Sequence, residues 1–298
     1  MRIEKLRPVF KDYIWGGERL RKEYGKVCEL TPLAESWELS VHPDGEVKTS
    51  DGTPLSLAMM PSDIGKNGAH HAHFPVLTKF IDAKDDLSVQ VHPSDEYALR
   101  HEDSLGKTEM WYVVDAQVGA GIYLGMKRDV TLEEFENAIN KRKLTELLNF
   151  IHVKKGDCFF IPSGTVHAIG KGCLIYEIQQ NSNITYRVYD YGRLDKNGRE
   201  RELHIDKAKE VATLKKYEPV KFSDGVLGAC KYFTARKFII NGTTLLTATN
   251  DSFHAVTVLE GTGSLGGIEF KKGDTLFVPA GHGRYEIKGK AEVIVTSV

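Results

Sequence analysis

The residues with the clearest capacity for chemistry lie in the stretch 87–93, which reads Leu-Ser-Val-Gln-Val-His-Pro. Its alternating, valine-rich pattern predicts a β-strand, in which side chains two residues apart share a face. Ser88, Gln90 and His92 therefore lie together on the face opposite the two valines. A row of hydroxyl, amide and imidazole groups has no use in a hydrophobic core. It suits the interior of a barrel that holds a metal ion and a small polar ligand.

Two further segments offer ligands for the same ion. Glu109 opens a second predicted strand, in the sequence Gly-Lys-Thr-Glu-Met-Trp-Tyr, and His167 follows a Pro-Ser-Gly turn. With Gln90 and His92 they supply two imidazole nitrogens, a carboxylate and an amide oxygen, which suits a divalent ion such as zinc. A single histidine in a β-rich core is more often a hydrogen-bonded structural residue. Three such motifs together are much harder to obtain by accident.

A second histidine cluster competes with this one, in the loop segment 70–73, which reads His-His-Ala-His. No predicted strand or helix holds these side chains in place, so we interpret them as surface residues. The four cysteines lie far apart and form no Cys-x-x-Cys pair, so a closed thiolate metal site is not indicated. We expect them to be reduced thiols of the core: Cys28, Cys158, Cys173 and Cys230.

The overall charge excludes some classes of partner. The 298 residues include 40 Lys and Arg against 41 Asp and Glu, for a net charge of −1. This balance gives no bulk attraction to nucleic acid or to an anionic membrane, so an anionic substrate must be met by a local site. The N-terminus lacks the apolar stretch of a signal peptide, and no apolar run approaches the roughly 18 residues of a membrane span. We therefore expect a cytoplasmic protein; the oligomeric state stays open.

Short strands separated by Gly, Pro, Asp and Asn predict a mainly β sandwich or barrel. The clearest strand patterns lie at 76–81, 110–114, 175–179, 256–259 and 293–296. One segment differs: Thr131 and Glu134 have the form of a capping box, and apolar residues follow at helical spacing. With a second turn near Leu144, they predict a small helical insertion around 131–151. Helices are also predicted within 13–24 and 206–214.

An internal repeat divides the chain. Residues 154–164 recur as 271–281, each with a Lys-Lys-Gly-Asp turn, a short buried strand and a Pro-x-Gly turn. Such units recur in cupin-type double-stranded β-helices, a form of jelly roll, so we predict two cupin-like halves. Three residues past the final glycine, the first copy has His167 and the second has Arg284. We therefore expect a catalytic domain at 1–215 and a domain without a metal site at 216–298.

The motifs resemble the type I phosphomannose isomerases (mannose-6-phosphate isomerases), in particular their short bacterial form, along nearly the whole chain. The matching segments are 13–17 (YIWGG), 34–40 (AESWELS), 79–83 (KFIDA), 87–93 (LSVQVHP), 106–114 (GKTEMWYVV), 156–167 and 183–193 (NITYRVYDYGR). The resemblance implies a cupin fold and one Zn²⁺ per chain. It implies that zinc is held by Gln90, His92, Glu109 and His167, and that Arg187 is the active-site arginine.

The implied reaction interconverts mannose 6-phosphate and fructose 6-phosphate through a cis-enediol. Arg187 keeps its proton, so it suits the charge on the substrate or the enediolate. Lys107, two residues before Glu109, faces the same interior, and a lysine beside a divalent cation is driven towards the neutral amine of a base or proton shuttle. The resemblance assigns Ser88 to the phosphate. It assigns Arg193 there too, where longer members of the family carry a lysine.

Two other functions stay open. A different cupin metalloenzyme, such as an iron dioxygenase or an iron-type phosphoglucose isomerase, usually presents His-x-His where this chain has Gln-x-His. A non-enzymatic cupin that binds sugar phosphates would keep the barrel without the reaction. We also expect Lys79 to pair with Asp82 near the mouth of the barrel, and Trp15 to line or brace the pocket.

Overall fold

A computed structural model describes residues 1–71, 73–194 and 198–298. Strands dominate it and the helices are short, as predicted for a mainly β chain. The strands before residue 200 are β1 Glu4–Lys5, β2 Val9–Lys11, β3 Glu35–Leu39, β4 Val41–His42, β5 Gly45–Glu46, β6 Val76–Asp82, β7 Val89–Val91, β8 Glu109–Ala116, β9 Gly121–Met126, β10 Leu148–His152, β11 Cys158–Ile161, β12 His167–Ile169, β13 Cys173–Gln180 and β14 Tyr186–Tyr189. The later strands are β15 Val226–Ala229, β16 Thr234–Ala248, β17 His254–Leu265, β18 Ile268–Lys271, β19 Thr275–Val278 and β20 Gly283–Ser297. The helices are α1 Arg19–Tyr24, α2 Leu55–Ala58, α3 Pro61–Ile64, α4 Asp95–His101, α5 Leu132–Asn140 and α6 Ile205–Val211, with 3₁₀ turns at Gly68–His70 and Leu144–Leu147.

Three antiparallel sheets are stacked in layers, and a β4–β5 hairpin lies beside them. The middle sheet has the strand order β11-β8-β13-β6-β3-β2. A five-stranded sheet in the order β10-β9-β12-β7-β14 covers one of its faces. A seven-stranded sheet in the order β1-β19-β17-β20-β16-β15, with β18 beside β17, covers the other.

Strand β8 is buried on both faces because it lies in the middle layer. Trp111 and Val113 pack towards the five-stranded sheet. Met110 and Tyr112, one residue out of phase, pack towards the seven-stranded sheet. This period of two assigns Glu109, at the start of the strand, to the same face as Trp111. The middle sheet therefore carries its chemistry on one face and its structural packing on the other.

The predicted helical insertion is present and covers the outer face of the five-stranded sheet. Thr131 and Glu134 form the capping box at the start of α5. Phe135 and Ile139 of this helix pack against the valines of β7. The helices predicted within 13–24 and 206–214 are also present, as the shorter α1 and α6.

The sequence repeat corresponds to the same local structure in both halves. In each copy the aspartate carboxylate accepts a hydrogen bond of 2.9 Å from the backbone N–H three residues earlier, at Asp157 and at Asp274. Strand β11 follows the first turn and β19 the second. The residues that differ behave differently: His167 is fully buried, whereas Arg284 is exposed.

The beginning of the chain joins the seven-stranded sheet, because β1 pairs with β19. The domain boundary at residue 215 stays a prediction. Strand β1 precedes this boundary in sequence but pairs within a sheet whose other strands all follow it. All four cysteines are free thiols. In the described ranges, no helix has both the length and the apolar character needed to cross a membrane.

Candidate active site

Strand β7 lies at the centre of the site. In its sheet, Gln90 is paired with His167 of β12 on one side and with Arg187 of β14 on the other. Ser88 and Gln90 line a cavity between the five-stranded and middle sheets. The alternation predicted for residues 88–92 is therefore present, with the polar side chains on the inner face and the valines in the core behind it.

The metal ligands predicted from the sequence lie close together. Glu109 Oε1 is 3.2 Å from His167 Nε2, and Glu109 Oε2 is 3.4 Å from His92 Nε2. The Gln90 amide nitrogen is 3.4 Å from His167 Nε2. The ligand atoms of the two histidines and the glutamate all lie within 4.8 Å of one another. Across residues 1–71, 73–194 and 198–298, no other group of three His, Cys, Asp or Glu side chains is arranged for a metal in this way.

The loop histidines that competed for this role are not part of such a group. His70 and His73 are exposed, and the His71 ring packs beside Tyr232, with ring centroids 5.6 Å apart. Ala72, which separates His71 from His73, lies outside the described residues.

Both buried histidines are neutral and have a fixed orientation. His92 Nδ1 lies 2.8 Å from the carbonyl oxygen of Ile184, and His167 Nδ1 lies 2.8 Å from that of Thr165. A carbonyl oxygen can only accept, so each Nδ1 carries the proton and each Nε2 keeps its lone pair. Burial, aided by the charge of Lys107, lowers the pKa of His92 to about 3, and burial also lowers the pKa of His167.

Glu109 supplies the negative charge of the cluster. Burial opposes its ionisation, but Lys107 and the two imidazoles hold the pKa of this carboxyl well below its usual range. Lys107 Nζ is 2.7 Å from Oε2, yet neither oxygen has a hydrogen-bond donor in favourable geometry. A buried carboxylate with unused lone pairs, beside two neutral Nε2 acceptors, fits a divalent cation.

Buried charges of alternating sign continue from the cluster along the middle sheet. Glu177 Oε1 is 3.5 Å from Lys107 Nζ and 3.4 Å from Lys79 Nζ, and Lys79 Nζ is 3.2 Å from Glu35 Oε1. Burial, reinforced by the charge of Glu109, raises the pKa of Glu177. Glu177 was not among the residues predicted from the sequence, although a lone glutamate inside an apolar strand is a signal for it.

The expected pairing of Lys79 with Asp82 is wrong. These residues are three apart in β6, so their side chains point to opposite faces of the sheet. Lys79 pairs with Glu35 and Glu177, and the Asp82 carboxylate accepts a hydrogen bond of 2.7 Å from the backbone N–H of Arg19.

The cavity has a volume of about 270 Å³. Its lining combines the charged network with aromatic and polar residues: Tyr13, Trp15, Glu35, Lys79, Ile81, Leu87, Ser88, Gln90, Lys107, Ile169, Glu177, Asn183, Thr185, Arg187 and Arg201. Ser88 and Arg187, assigned by resemblance, and Lys107, predicted from its spacing to Glu109, all line it. Arg193 does not, because its guanidinium is bound to Asp190 and to the carbonyl oxygen of Asp86.

Comparison with known proteins identifies the family. The profile of the phosphomannose isomerase type I catalytic domain matches residues 3–115, and that of the mannose-6-phosphate isomerase cupin domain matches residues 226–298. The mannose-6-phosphate isomerase ManA of Bacillus subtilis (strain 168) is 40% identical, over 98% of this chain and 97% of ManA. The chain belongs to the type I phosphomannose isomerase family. Another relative, the mannose-6-phosphate isomerase of Streptococcus mutans, is 40% identical over 95% of this chain and 94% of its own length.

The structural comparison agrees with this membership. The crystal structure of the mannose 6-phosphate isomerase from Bacillus subtilis matches with a TM-score of 0.91, at 37% identity and over 100% of both chains. The predicted fold, mainly β with cupin-like halves, is therefore confirmed for this type I phosphomannose isomerase.

Proposed function

We propose that this protein interconverts mannose 6-phosphate and fructose 6-phosphate as an aldose–ketose isomerase. The observation that carries the proposal is the meeting of two neutral imidazoles and an ionised carboxylate beside a cavity whose lining includes Lys107 and Arg187. In a member of the type I phosphomannose isomerase family, this combination supports sugar-phosphate isomerisation better than it supports binding alone.

We propose that Gln90, His92, Glu109 and His167 hold one Zn²⁺ per chain. The two neutral nitrogen donors and the unsatisfied carboxylate suit zinc, and Gln90 brings an amide beside them. When bound, zinc supplies a Lewis acid that polarises the hydroxyl and carbonyl groups of the sugar.

The isomerisation moves a proton between C2 and C1 through a cis-enediol, so a side chain must take the proton and return it. We assign this role to Lys107, whose Nζ lines the cavity between Glu109 Oε2 at 2.7 Å and Glu177 Oε1 at 3.5 Å. Burial, reinforced by the charge of Glu109, raises the pKa of Glu177, the carboxyl on the other side of Lys107.

Arg187 contributes a permanent positive charge on the opposite wall of the cavity. Its Nη1 donates a hydrogen bond of 2.9 Å to the carbonyl oxygen of Glu202, which fixes the guanidinium. Its Nε is buried and has no partner among the described residues. We assign Arg187 to the negative charge that develops on the enediolate oxygen, and Ser88, on the Gln90 side of the cavity, to the phosphate.

We place this activity in the cytoplasm. The substrate is a doubly charged sugar phosphate, which does not cross a lipid bilayer unaided. The four free thiols fit a reducing compartment.

The test is a coupled assay of mannose 6-phosphate isomerisation, with and without a chelator, together with metal analysis of the purified protein. We expect turnover that the chelator removes and that added zinc restores. Binding of mannose 6-phosphate without turnover in zinc-replete buffer would make the protein a sugar-phosphate-binding cupin. Iron in place of zinc would favour a different cupin metalloenzyme.

A further inference from the structure

The positive charges at the rim of the cavity are not distributed as the resemblance implies. Arg193 uses its Nη1 on the Asp86 carbonyl oxygen and its Nη2 on the Asp190 carboxylate, and its Nε lies 3.4 Å from the Asp190 carbonyl oxygen. All three guanidinium nitrogens therefore serve the protein itself. Arg193 lines a neighbouring depression that also includes Arg201, and of these two arginines only Arg201 lines the cavity that holds Ser88 and Gln90.

Arg201, and not Arg193, lies at the cavity where the resemblance places a phosphate-binding arginine. It is distant from the strand motif in sequence, yet it lines the cavity together with Ser88, Gln90 and Arg187. Its Nε and Nη2 bind the two carboxylate oxygens of Asp190 at 2.7 and 2.6 Å, a bidentate pair that fixes the plane of the guanidinium. Nη1 takes no part in this pair and is the nitrogen with which Arg201 can reach a ligand.

Three arginines lie close together at this end of the cavity. Arg193 and Arg201 both pair with Asp190, whose side chain is only 5% exposed, and Arg187 lies close enough to feel the charge of Asp190 and of Arg201. Burial, together with the charge of Arg201, lowers the pKa of Arg187, which indicates that the two guanidiniums repel each other across this end of the cavity. A phosphate dianion bound by Arg201 would offset this repulsion and gain charge-assisted hydrogen bonds.

We propose that Arg201, together with Ser88, binds the phosphate group of the substrate, and that Arg193 is a positioning residue that holds Asp190 and through it Arg201. This inference rests on the proposed isomerase function and specifies its phosphate-binding end. The two ends of the cavity then match the two ends of an open-chain hexose phosphate. The reacting C1 and C2 lie towards His92, Glu109 and His167, and the phosphate lies at Arg201 and Ser88.

The experiment compares Arg201→Met, Arg201→Lys and Arg193→Met with the wild type, loaded with zinc. Calorimetry measures the Kd of inorganic phosphate, and the coupled assay measures KM and kcat for mannose 6-phosphate. We expect Arg201→Met to weaken phosphate binding and to raise KM by about 10- to 100-fold, the usual range for losing hydrogen bonds to a charged group, with a smaller change in kcat. Arg201→Lys keeps the positive charge but loses the planar guanidinium with its several donors, so its KM falls between those of the wild type and Arg201→Met. Arg193→Met changes the Kd of phosphate and the KM of the sugar phosphate by less than a tenth of the Arg201→Met effect.

The matched control is Arg128→Met, which removes an exposed arginine that pairs with Glu134. It should leave the Kd of phosphate and the KM of the sugar phosphate unchanged. Unaltered phosphate binding in both Arg201 variants, or a larger effect in Arg193→Met, overturns the proposal. If Arg201→Met does not fold, Arg201→Lys decides: a KM within twofold of wild type counts against the assignment. If the wild-type protein binds phosphate but does not isomerise the sugar, the proposed function is refuted. The calorimetry alone then tests whether Arg201 binds the phosphate.

Discussion

Single charges in the cavity are stabilised by their neighbours rather than by water. Burial alone would lower the pKa of Lys79, but the carboxylates of Glu177 and Glu35 raise it above its ordinary value. The indole N–H of Trp111 donates a hydrogen bond of 2.8 Å to Glu177, so this buried carboxyl also has a neutral donor. Because each group depends on the next, removing one charge leaves another buried without a partner, which is costly.

Replacing Glu109 with Gln tests the metal cluster directly. The substitution keeps the shape of the side chain and removes the negative charge that balances a divalent cation. Disturbing groups behind a metal ligand already costs roughly 10- to 100-fold in affinity, so losing a ligand should cost at least as much. We expect zinc content after gel filtration to fall below about a tenth of wild type. Glu133→Gln, an exposed glutamate in α5, is the control and should retain the metal; full zinc content in Glu109→Gln would contradict the cluster.

Replacing Lys107 with Met tests the proton-transfer role. General acid–base groups typically contribute 10²- to 10⁴-fold to turnover, so kcat should fall by that factor while zinc stays bound. The measurement is kcat in the coupled assay, paired with metal analysis of the same sample. Lys155→Met removes an exposed lysine and should leave kcat unchanged. Turnover within about threefold of wild type would exclude Lys107 as the proton carrier.

The strands explain why part of the site was predictable. Alternation in residues 88–92 is a local property, and β7 has the inner and outer faces that the sequence predicts. The pairing of Lys79 with Asp82 failed because a spacing of three reverses the face in a strand. Arg201 could not be found from its own neighbours, since only the pairing of β7 with β14 and the Asp190 contact bring it to the cavity. Local periodicity predicts faces, whereas contacts between distant segments depend on the assembled sheet.

The turn before β12 links the two histidines, which gives a test at Gly164. Its backbone N–H donates a hydrogen bond of 2.8 Å to the carbonyl oxygen of His92, and its φ is +86°, in the left-handed region. An added Cβ would meet Thr213 Oγ1 at 2.8 Å. Gly164→Ala should therefore lower the free energy of unfolding by about 1–3 kcal/mol and shift His167 relative to His92, which weakens zinc binding.

The repeat provides the control for this prediction. Gly281 occupies the equivalent turn of the second half, with φ +75° and a Cβ contact to Asn250 Oδ1 at 2.5 Å. Gly281→Ala should lose stability to a similar extent in urea denaturation but keep its affinity for zinc, because exposed Arg284 stands where the first copy has the ligand His167. Equal loss of zinc in both variants would mean that general destabilisation, and not the geometry of this turn, controls the metal.

The C-terminal half stabilises the site from behind. Phe277 and Phe253 of this half pack into the same core as Phe80 and Tyr176, which lie on the face of the middle sheet that points away from the metal cluster. The Tyr176 hydroxyl is 2.7 Å from Thr257 Oγ1, so a polar contact accompanies this packing. The strands that carry Lys79, Glu109 and Glu177 are therefore held between two layers. A half without a metal cluster of its own therefore supports the sheet that carries these side chains.

Asp95 joins the two halves and gives this coupling a dependence on pH. Its carboxylate accepts hydrogen bonds of 3.0 Å from the Gly106 N–H and 2.8 Å from Gln180, and it binds Tyr232 and Lys231 of the C-terminal half. Burial opposes ionisation, but the bonds from Tyr232 and Gln180 lower the pKa of Asp95. A carboxyl with a lowered folded-state pKa contributes stability above its unfolded-state pKa of about 3.9 and loses it as the pH falls through the folded-state pKa.

Asp95→Asn should therefore lower the free energy of unfolding by about 1–3 kcal/mol at pH 7. The gap in this free energy between the variant and the wild type should narrow between about pH 5 and pH 3. Urea denaturation across this range measures the gap, with Asp206→Asn, whose side chain is 94% exposed, as the control. A gap that stays constant down to pH 3 would mean that the charge of Asp95 plays no part in holding the halves together.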